Sequence, residues 1–225
     1  MTTSEAQALR VAIVGGSGKV ARHIISLLHA RGDEAVAIFR NPDRYDDLAD
    51  LGAIPVVIDI ESASTSELAS AFAGVDAVVF SAGAGGGDPE RTRSVDFDGA
   101  VKTIEAAQLA NVSRFVMVSA IGVGGPLPAE PGDDMYPYYQ AKRDADLAVE
   151  GSDLDYTIVR PGGLTDDEPT GQVVLGDTVG RSTVPRADVA AVVVAAIDDP
   201  RTIGHAWELV SGPSSIAEAI AALVD

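Results

Sequence analysis

The feature that most constrains this chain is a glycine-rich segment directly after its first apolar stretch. Between the apolar run Arg10–Val14 and a helical pattern, the spacing from Gly15 through Gly18 to Ala21 is G-x-x-G-x-x-A. Gly15 permits a tight turn, Gly18 lets a diphosphate approach the backbone, and the small Ala21 lets the helix pack closely on the strand. The helix then offers free amide hydrogens and its positive dipole end to phosphates. The segment therefore predicts a dinucleotide-binding turn, whose predicted contacts are Gly15, Ser17, Gly18, Lys19 and Val20.

Short β-branched runs alternate with helical patterns along the rest of the chain. Most runs are continuously apolar, which is typical of parallel strands covered on both faces. The alternation predicts an α/β fold, a doubly wound Rossmann sheet in three α/β/α layers. Strands are predicted at Arg10–Val14, Ala35–Phe39, Ile54–Ile58, Ala77–Phe80, Arg114–Ser119, Tyr156–Arg160 and Ala206–Val210. Helices are predicted near residues 18–31, 43–51, 64–73, 92–110, 138–150, 186–198 and 214–223.

Composition and charge exclude several other classes of protein. The 225 residues are 46% hydrophobic, which suits one domain spanning residues 1–225 with a sizeable core. The absence of cysteine removes disulfides, thiolate zinc sites and cysteine nucleophiles, and it fits a reducing cytoplasm. No apolar run reaches about 18 residues, so no membrane span is expected. The net charge of −18 disfavours nucleic acid as a partner. We expect a cytoplasmic monomer or weak homo-oligomer.

Two segments rich in Gly, Pro and Asp interrupt the pattern, at residues 122–137 and 162–184. Each follows a predicted strand, so each is expected at the carboxyl edge of the sheet, where α/β proteins bind ligands. Long loops at that edge are predicted to wall a substrate site. The second loop contains Asp166, Asp167 and Glu168. A solvated loop explains this cluster better than a divalent metal site, and no metal is predicted.

The ends of the second, third and fourth predicted strands bear on the choice of cofactor. An acid after the second strand usually holds the ribose of NAD, but this chain has Arg40, whose planar fork suits the 2′-phosphate of NADP. NADP(H) is therefore favoured over NAD(H), although a solvent-facing arginine is the alternative. Asp59 is predicted either to bond the adenine amino group or to cap a local turn. The segment Ser81–Gly83, which comprises Ser81, Ala82 and Gly83, is predicted to pass along the cofactor.

Taken together, several further segments resemble one known family. They are GGSGKVA at 15–21, RNP at 40–42, VDFDGAVKTIEAA at 95–107, RFVMVSAIG at 114–122, YYQAKRDAD at 138–146 and YTIVRPGGLTDDEPTG at 156–171. In combination they resemble the atypical short-chain dehydrogenase/reductases with an NAD(P)H-binding domain, a group often labelled NAD-dependent epimerase/dehydratase. The resemblance covers most of residues 10–223. It implies strand order 3-2-1-4-5-6-7, and it implies that the turn containing Pro161, Gly162 and Gly163 lies beside the nicotinamide.

The resemblance also implies a set of catalytic residues. Reductases of the wider superfamily use a Tyr and a Lys four residues apart on one helix face, and Tyr138 and Lys142 have that spacing. The Lys lowers the pKa of the Tyr and binds the nicotinamide ribose, so that the phenol can pass a proton. Ser119 is the candidate helper hydroxyl, but it falls at a strand end. Asp96 stands where extended-type enzymes carry Asn; it can hold a water or a backbone group but cannot donate as Asn does.

Three functions remain open at this point. The first is an NADP(H)-dependent oxidoreductase that reduces a small carbonyl or a related electrophile, an unidentified small-molecule substrate. The second is a cofactor-binding sensor or scaffold without chemistry. The third is a sugar epimerase or dehydratase, which is disfavoured because only about 65 residues follow the sixth predicted strand, whereas such enzymes append a large substrate domain.

Overall fold

A parallel sheet forms the centre of the protein, shown here as a computed structural model that describes residues 8–85 and 88–224. Its first strand pairs in register with neighbours on both sides, Val11 lying opposite Ala35 and Ala77. The parallel strands are β1 (Arg10–Val14), β2 (Glu34–Phe39), β3 (Ala53–Val57), β4 (Ala77–Phe80), β5 (Arg114–Val118), β6 (Asp155–Pro161) and β10 (His205–Ser211). They run in the order β3-β2-β1-β4-β5-β6-β10, which confirms the predicted Rossmann order, with β10 as its seventh strand.

Helices cover both faces of the sheet and create two apolar layers. In β1, Val11 and Ile13 face one layer, whereas Ala12 and Val14 face the other, and all four are fully buried. This burial on both faces explains why the strands are continuously apolar. The first layer packs against α1 (Lys19–Ala30), α2 (Tyr45–Asp50), α7 (Arg186–Asp198) and α8 (Ile216–Val224), and the second against α3 (Thr65–Ala71), α5 (Gly99–Leu109) and α6 (Tyr136–Glu150).

The second Gly- and Pro-rich segment is more ordered than its composition suggested. Within residues 162–184, predicted to be irregular, lie β7 (Gly163–Thr165), β8 (Gln172–Gly176) and most of β9 (Thr183–Pro185). Strand β8 extends the main sheet antiparallel to β10, and it is followed at the sheet edge by β11 (Ser214–Ser215). Strands β7 and β9 form a separate parallel pair. The prediction missed these strands because each is short and its pairing partner is distant in sequence.

The helix predicted at residues 92–110 is three consecutive segments. It begins as α4 (Pro89–Thr92), continues as a π-helical stretch at Arg93–Asp98, and only then becomes α5. A π-helical turn is wider than an α-helical one and is common at functional sites. Here it carries Asp96 into the interior, where the side chain is 1% exposed. Sequence periodicity cannot reveal this change of helix type.

No helix in the described parts of the chain combines the length and the apolar character needed to cross a membrane.

Two adjacent leucines on α1 test how much the core contributes to stability. Leu28 is fully buried between α1 and the sheet, whereas Leu27 is 38% exposed. Leu28→Ala is expected to lower the free energy of unfolding by about 2–5 kcal/mol, because it removes a buried side chain and leaves a cavity. The matched control Leu27→Ala is expected to cost less than about 1 kcal/mol. Urea denaturation followed by circular dichroism measures both, and equal losses would show that this layer is not packed as described.

Candidate functional site

The glycine-rich turn is folded tightly against two neighbouring strands. The amides of Gly15 and Gly16 both donate to the carbonyl of Ile38, at 3.0 and 2.8 Å, and the amide of Gly18 donates to the carbonyl of Gly15 at 2.8 Å. Gly15 has φ +85°, and a Cβ there would lie 2.6 Å from the Cα of Ala82. Only glycine fits here, because the φ angle is positive and because a side chain would collide with the backbone of Ala82.

The helix that follows this turn begins with open amide groups. Gly18 is the N-cap of α1, no side chain caps the helix, and its first turn contains no acid. The first amide hydrogens of a helix have no partner within the helix, so they are available to an anion together with the helix dipole. The turn therefore has the donors that a diphosphate requires.

A cleft with two connected parts runs along the carboxyl edge of the sheet on either side of this turn. A smaller cavity of about 190 Å³ lies toward β2 and β3, and a larger one of about 1000 Å³ lies toward α4 and α6. Gly18 and the segment Ser81–Gly83 line both parts. The smaller part is also lined by the predicted Gly15, Ser17, Arg40 and Asp59. The larger part contains the predicted Lys19, Val20, Asp96, Ser119, Tyr138 and Lys142.

In the smaller cavity, an acid that the sequence analysis did not single out contacts two arginines. Glu61 accepts from Arg40 at 3.0 Å, lies 3.5 Å from Arg91, and accepts a 2.6 Å hydrogen bond from the hydroxyl of Ser94. The hydroxyl of Ser94 and then the charges of the two arginines hold the pKa of Glu61 below its usual value. Glu61 lies four residues beyond Val57, the last residue of β3, and its closeness to that strand end is the signal that could have identified it.

Asp59 lines the same cavity and also stabilises its own turn. Its carboxylate accepts from the amide of Glu61 at 3.1 Å. The local-turn alternative for Asp59 therefore has a contact in the structure, and a bond to an adenine remains a prediction.

In the larger cavity, a buried ion pair joins the π-helical stretch to α6. The ammonium of Lys142 lies 3.0 Å from one oxygen of Asp96, and the two side chains are 6% and 1% exposed. The other oxygen of Asp96 accepts from the amide of Ala84 at 2.9 Å, so this Asp does hold a backbone group. Gly83 permits the approach, since a Cβ at this position would be 3.2 Å from Asp96.

The pKa of Tyr138 differs from the expectation drawn from the wider superfamily. Burial raises the pKa of the Tyr138 phenol, and the opposing effect of Lys142 does not overcome it. The reason is visible in the ion pair, because the charge of Lys142 is largely engaged by Asp96. Burial also lowers the pKa of Lys142, but Asp96 and Tyr138 outweigh it and the pKa is raised. In this structure the phenol is a neutral acid beside a fully charged ammonium.

Ser119 lies in the wall of the larger cavity but is associated with a second charge cluster. It follows the last residue of β5 and is 5% exposed. Burial raises the pKa of Asp146, while Arg160 and the hydroxyl of Ser119 lower it, and Arg160 donates to Asp146 at 2.8 Å. The buried hydroxyl of Ser119 has no hydrogen-bond partner among the described residues, and its role toward a substrate carbonyl remains a prediction.

The turn after β6 packs against protein rather than facing the cleft. The carbonyl of Pro161 accepts from Ile121, and the amides of Gly162 and Gly163 donate to Leu209 and Ser182. A Cβ on Gly162 would lie 2.3 Å from the carbonyl oxygen of Ser182, so glycine is needed there for packing. None of Pro161, Gly162 and Gly163 lines either cavity, whereas the next residue along, Leu164, does. Contact of these three residues with a nicotinamide remains a prediction.

Residues 8–85 and 88–224 contain no group of three or more His, Asp or Glu side chains arranged to hold a metal ion. The acids of the second loop are engaged differently. Asp166 pairs with Lys19 and Arg186, and Arg186 is a further residue of the cavity wall that the sequence analysis did not identify.

Comparison with known proteins agrees with this geometry. Residues 15–200 match the NAD(P)H-binding family, and this match spans the turn, both cavities and α6. The chain belongs to that family. Its members bind a nicotinamide dinucleotide, and the open amides at the start of α1 suit the diphosphate of such a molecule.

Several relatives of this NAD(P)H-binding protein cover nearly its whole length. The uncharacterized sugar epimerase YhfK of Bacillus subtilis is 37% identical over 214 residues, which are 94% of this chain and 99% of that protein. The structure of a "putative NAD-dependent epimerase/dehydratase" from Bacillus halodurans is 38% identical with a TM-score of 0.88, covering 96% of this chain and 100% of the other. ChuY, an anaerobillin reductase from Escherichia coli O157:H7, is 26% identical with a TM-score of 0.75, covering 91% and 100%.

The close approach at Gly15 can be tested with a matched glycine. Gly15 and Gly32 have φ of +85° and +87°, but an added Cβ meets Ala82 in the first case and nothing within 4 Å in the second. Both Ala substitutions place a side chain in the left-handed region, which costs about 1–2 kcal/mol. Gly15→Ala is expected to destabilise further and to abolish NADPH binding, measured by nucleotide fluorescence. If Gly15→Ala and Gly32→Ala bind NADPH equally well, the turn is not the diphosphate site.

Proposed function

We propose that this protein is an NADP(H)-dependent reductase that acts on a small carbonyl compound or a related electrophile. The observation that carries the proposal is the placement of Tyr138, Lys142 and Asp96 in the wall of one cavity of about 1000 Å³. That cavity continues directly from the diphosphate turn through Gly18. A dinucleotide bound along the cleft would thus bring its reactive end to the one tyrosine–lysine pair that has the superfamily spacing.

The residues of the cleft fit the cofactor. The open amides at the start of α1 suit the diphosphate, and the close contact between Gly15 and Ala82 keeps side chains out of its path. When bound, the nicotinamide supplies a hydride. Lys142 lies in the cavity wall with a charged ammonium, a suitable donor to ribose hydroxyls.

Tyr138 is proposed as the acid that completes the reduction. When a carbonyl carbon accepts a hydride, the oxygen gains charge and needs a proton, and a neutral phenol can donate one. Burial keeps this phenol protonated through the neutral range, since its pKa is raised. Asp96 is proposed as a positioning residue, because its carboxylate holds the ammonium of Lys142 at 3.0 Å.

The proposed preference for NADP(H) is supported by Arg40, which lines the smaller cavity and is about half exposed. Its guanidinium can pair with a 2′-phosphate. Glu61 competes for the same guanidinium and adds a negative charge beside it. The preference is therefore proposed as the balance between one arginine that attracts the 2′-phosphate and one carboxylate that opposes it.

Tyr138→Phe tests the proposed acid. The variant is expected to lose NADPH-dependent reduction across a panel of small carbonyl compounds, by a factor of about 100 or more, because proton donation is lost. NADPH affinity is expected to stay within about twofold of wild type, since only a hydroxyl is removed. The measurements are NADPH absorbance and a binding titration.

Two controls accompany this variant. Tyr139→Phe removes a neighbouring phenol whose ring packs edge-on against Tyr138 and is expected to leave turnover nearly unchanged. In the wild type, the rate of reduction is expected to stay level through neutral pH and to fall only above about pH 10, where a tyrosine with raised pKa begins to lose its proton. Turnover that survives in Tyr138→Phe would remove this residue as the acid.

Arg40 and Glu61 are expected to act in opposite directions on cofactor choice. Arg40→Ala should weaken NADPH about 10- to 100-fold and NADH much less, because a charge-assisted hydrogen bond to the 2′-phosphate is lost. Glu61→Gln should tighten NADPH and leave NADH unchanged. Arg44→Ala is the matched control, since Arg44 is exposed and pairs with Asp47 instead. Equal losses of both nucleotides in Arg40→Ala would contradict the assignment.

One observation favours the second candidate, a cofactor-binding sensor without chemistry. The charge of Lys142 is paired with Asp96, and its lowering effect on the pKa of Tyr138 is outweighed by burial. Active members of the wider superfamily need a lowered tyrosine pKa for the reverse reaction. A protein that binds NADPH tightly yet turns over no carbonyl compound would support this candidate. Net consumption of NADPH also separates reduction from epimerisation, in which the hydride returns to the substrate.

A single domain, a cytoplasmic location, a monomeric or weakly oligomeric state and the lack of a nucleic-acid partner remain predictions from the sequence.

A further inference from the structure

One carboxylate bridges two basic side chains that line the larger cavity. Asp166, in the loop after β7, accepts from the ammonium of Lys19 at 2.5 Å and from the guanidinium of Arg186 at 2.6 Å, one contact to each oxygen. Lys19 is the first residue of α1, directly after the diphosphate turn, and Arg186 is the first residue of α7. Three segments that are far apart in sequence thus meet at one negative charge.

The bridge is accessible to solvent and therefore exchangeable. The side chains of Lys19 and Asp166 are 66% and 60% exposed, and that of Arg186 is 21% exposed. Ion pairs at such exposed positions contribute little stability, because water and salt screen them. An incoming anion can take the place of the carboxylate without disturbing the core.

The two cations differ from the other basic group of the cavity. Lys19, Lys142 and Arg186 are the basic residues in its wall, within the described part of the chain. Lys142 is buried against Asp96 and cannot exchange its partner with solvent ions. The protein has a net charge of −18. Lys19 and Arg186 are therefore the cations of the cavity wall that can exchange their carboxylate partner for an incoming anion.

We propose that Lys19 and Arg186 form a subsite for an anionic group, a phosphate or a carboxylate, and that Asp166 occupies this subsite until such a group displaces it. The inference rests on the proposed function in that the anion comes from one of two sources. It is either the diphosphate of the cofactor or an acidic group of the substrate.

The geometry accounts for both parts of the proposal. Each oxygen of the Asp166 carboxylate contacts one cation. An arginine and a lysine hold the carboxylate or phosphate of a ligand in the same arrangement. The two cations hold the pKa of Asp166 below its usual value, Lys19 contributing most, so the internal competitor is charged at neutral pH. Its removal should therefore strengthen anion binding.

The experiment compares three variants that change exposed or partly exposed residues. Asp166→Asn removes the internal competitor, and Arg186→Gln removes one of the two cations. Asp167→Asn is the matched control, because it changes the net charge equally at the neighbouring exposed position, for which no ion pair is found among the described residues. Three probes are titrated into each variant: NADPH, inorganic pyrophosphate, and oxalate added to protein saturated with NADP⁺.

If the subsite serves the cofactor diphosphate, Asp166→Asn is expected to tighten NADPH and pyrophosphate about three- to tenfold, in line with the loss of weak exposed ion pairs. Arg186→Gln should weaken both, and oxalate should not bind the saturated protein. If the subsite serves an acidic substrate, NADPH affinity should stay within about twofold, while oxalate binds the saturated protein and binds more tightly in Asp166→Asn.

The proposal is overturned if Asp166→Asn and Asp167→Asn behave alike with all three probes. Failure of the proposed function gives a different result. In that case the wild type does not bind NADPH, while pyrophosphate and oxalate titrated into the nucleotide-free protein still report on Lys19 and Arg186.

Discussion

The contact between the backbone at Gly15 and the backbone at Ala82 is the constraint on which the cleft depends. It brings the end of β1 within van der Waals reach of the segment after β4, so that both cavities share one floor. Any side chain at Gly15 would separate the two segments and fill the path between the cavities.

Buried charge determines how the larger cavity can act. Lys142 and Asp96 are nearly inaccessible to water, and each would be costly to bury alone. Their pairing leaves Tyr138 as the titratable group of the cavity whose proton is held in place by burial. Asp146 and Arg160 repeat the arrangement one turn further along α6, where Asp146 accepts from Arg160 beneath Ser119. Tyr138, Lys142 and Asp146 therefore follow one another at four-residue spacing on one face of α6.

The parallel strands of the fold could be predicted from the sequence, because they are apolar on both faces and the glycine spacing fixes the first turn. The short strands β7, β8, β9 and β11 could not. The candidate site could be predicted only in part. Residues whose position follows from a strand end, such as Arg40, do lie in the cleft. Glu61 and Arg186 were missed because their importance arises from partners distant in sequence. The π-helical stretch that directs Asp96 inward was missed because composition does not distinguish it from an α-helix.

A strongly acidic protein can bind the proposed anionic ligand because the accessible cations of the cleft are each paired with a carboxylate that is itself at least partly exposed. Glu61 contacts Arg40 and Arg91 at one end, and Asp166 contacts Lys19 and Arg186 at the other. Without these acids the bare cations would attract any anion in solution. With them, a ligand must offer a phosphate or a carboxylate at the correct spacing to compete with the carboxylate already in place. The acids thus convert general attraction into selection by geometry.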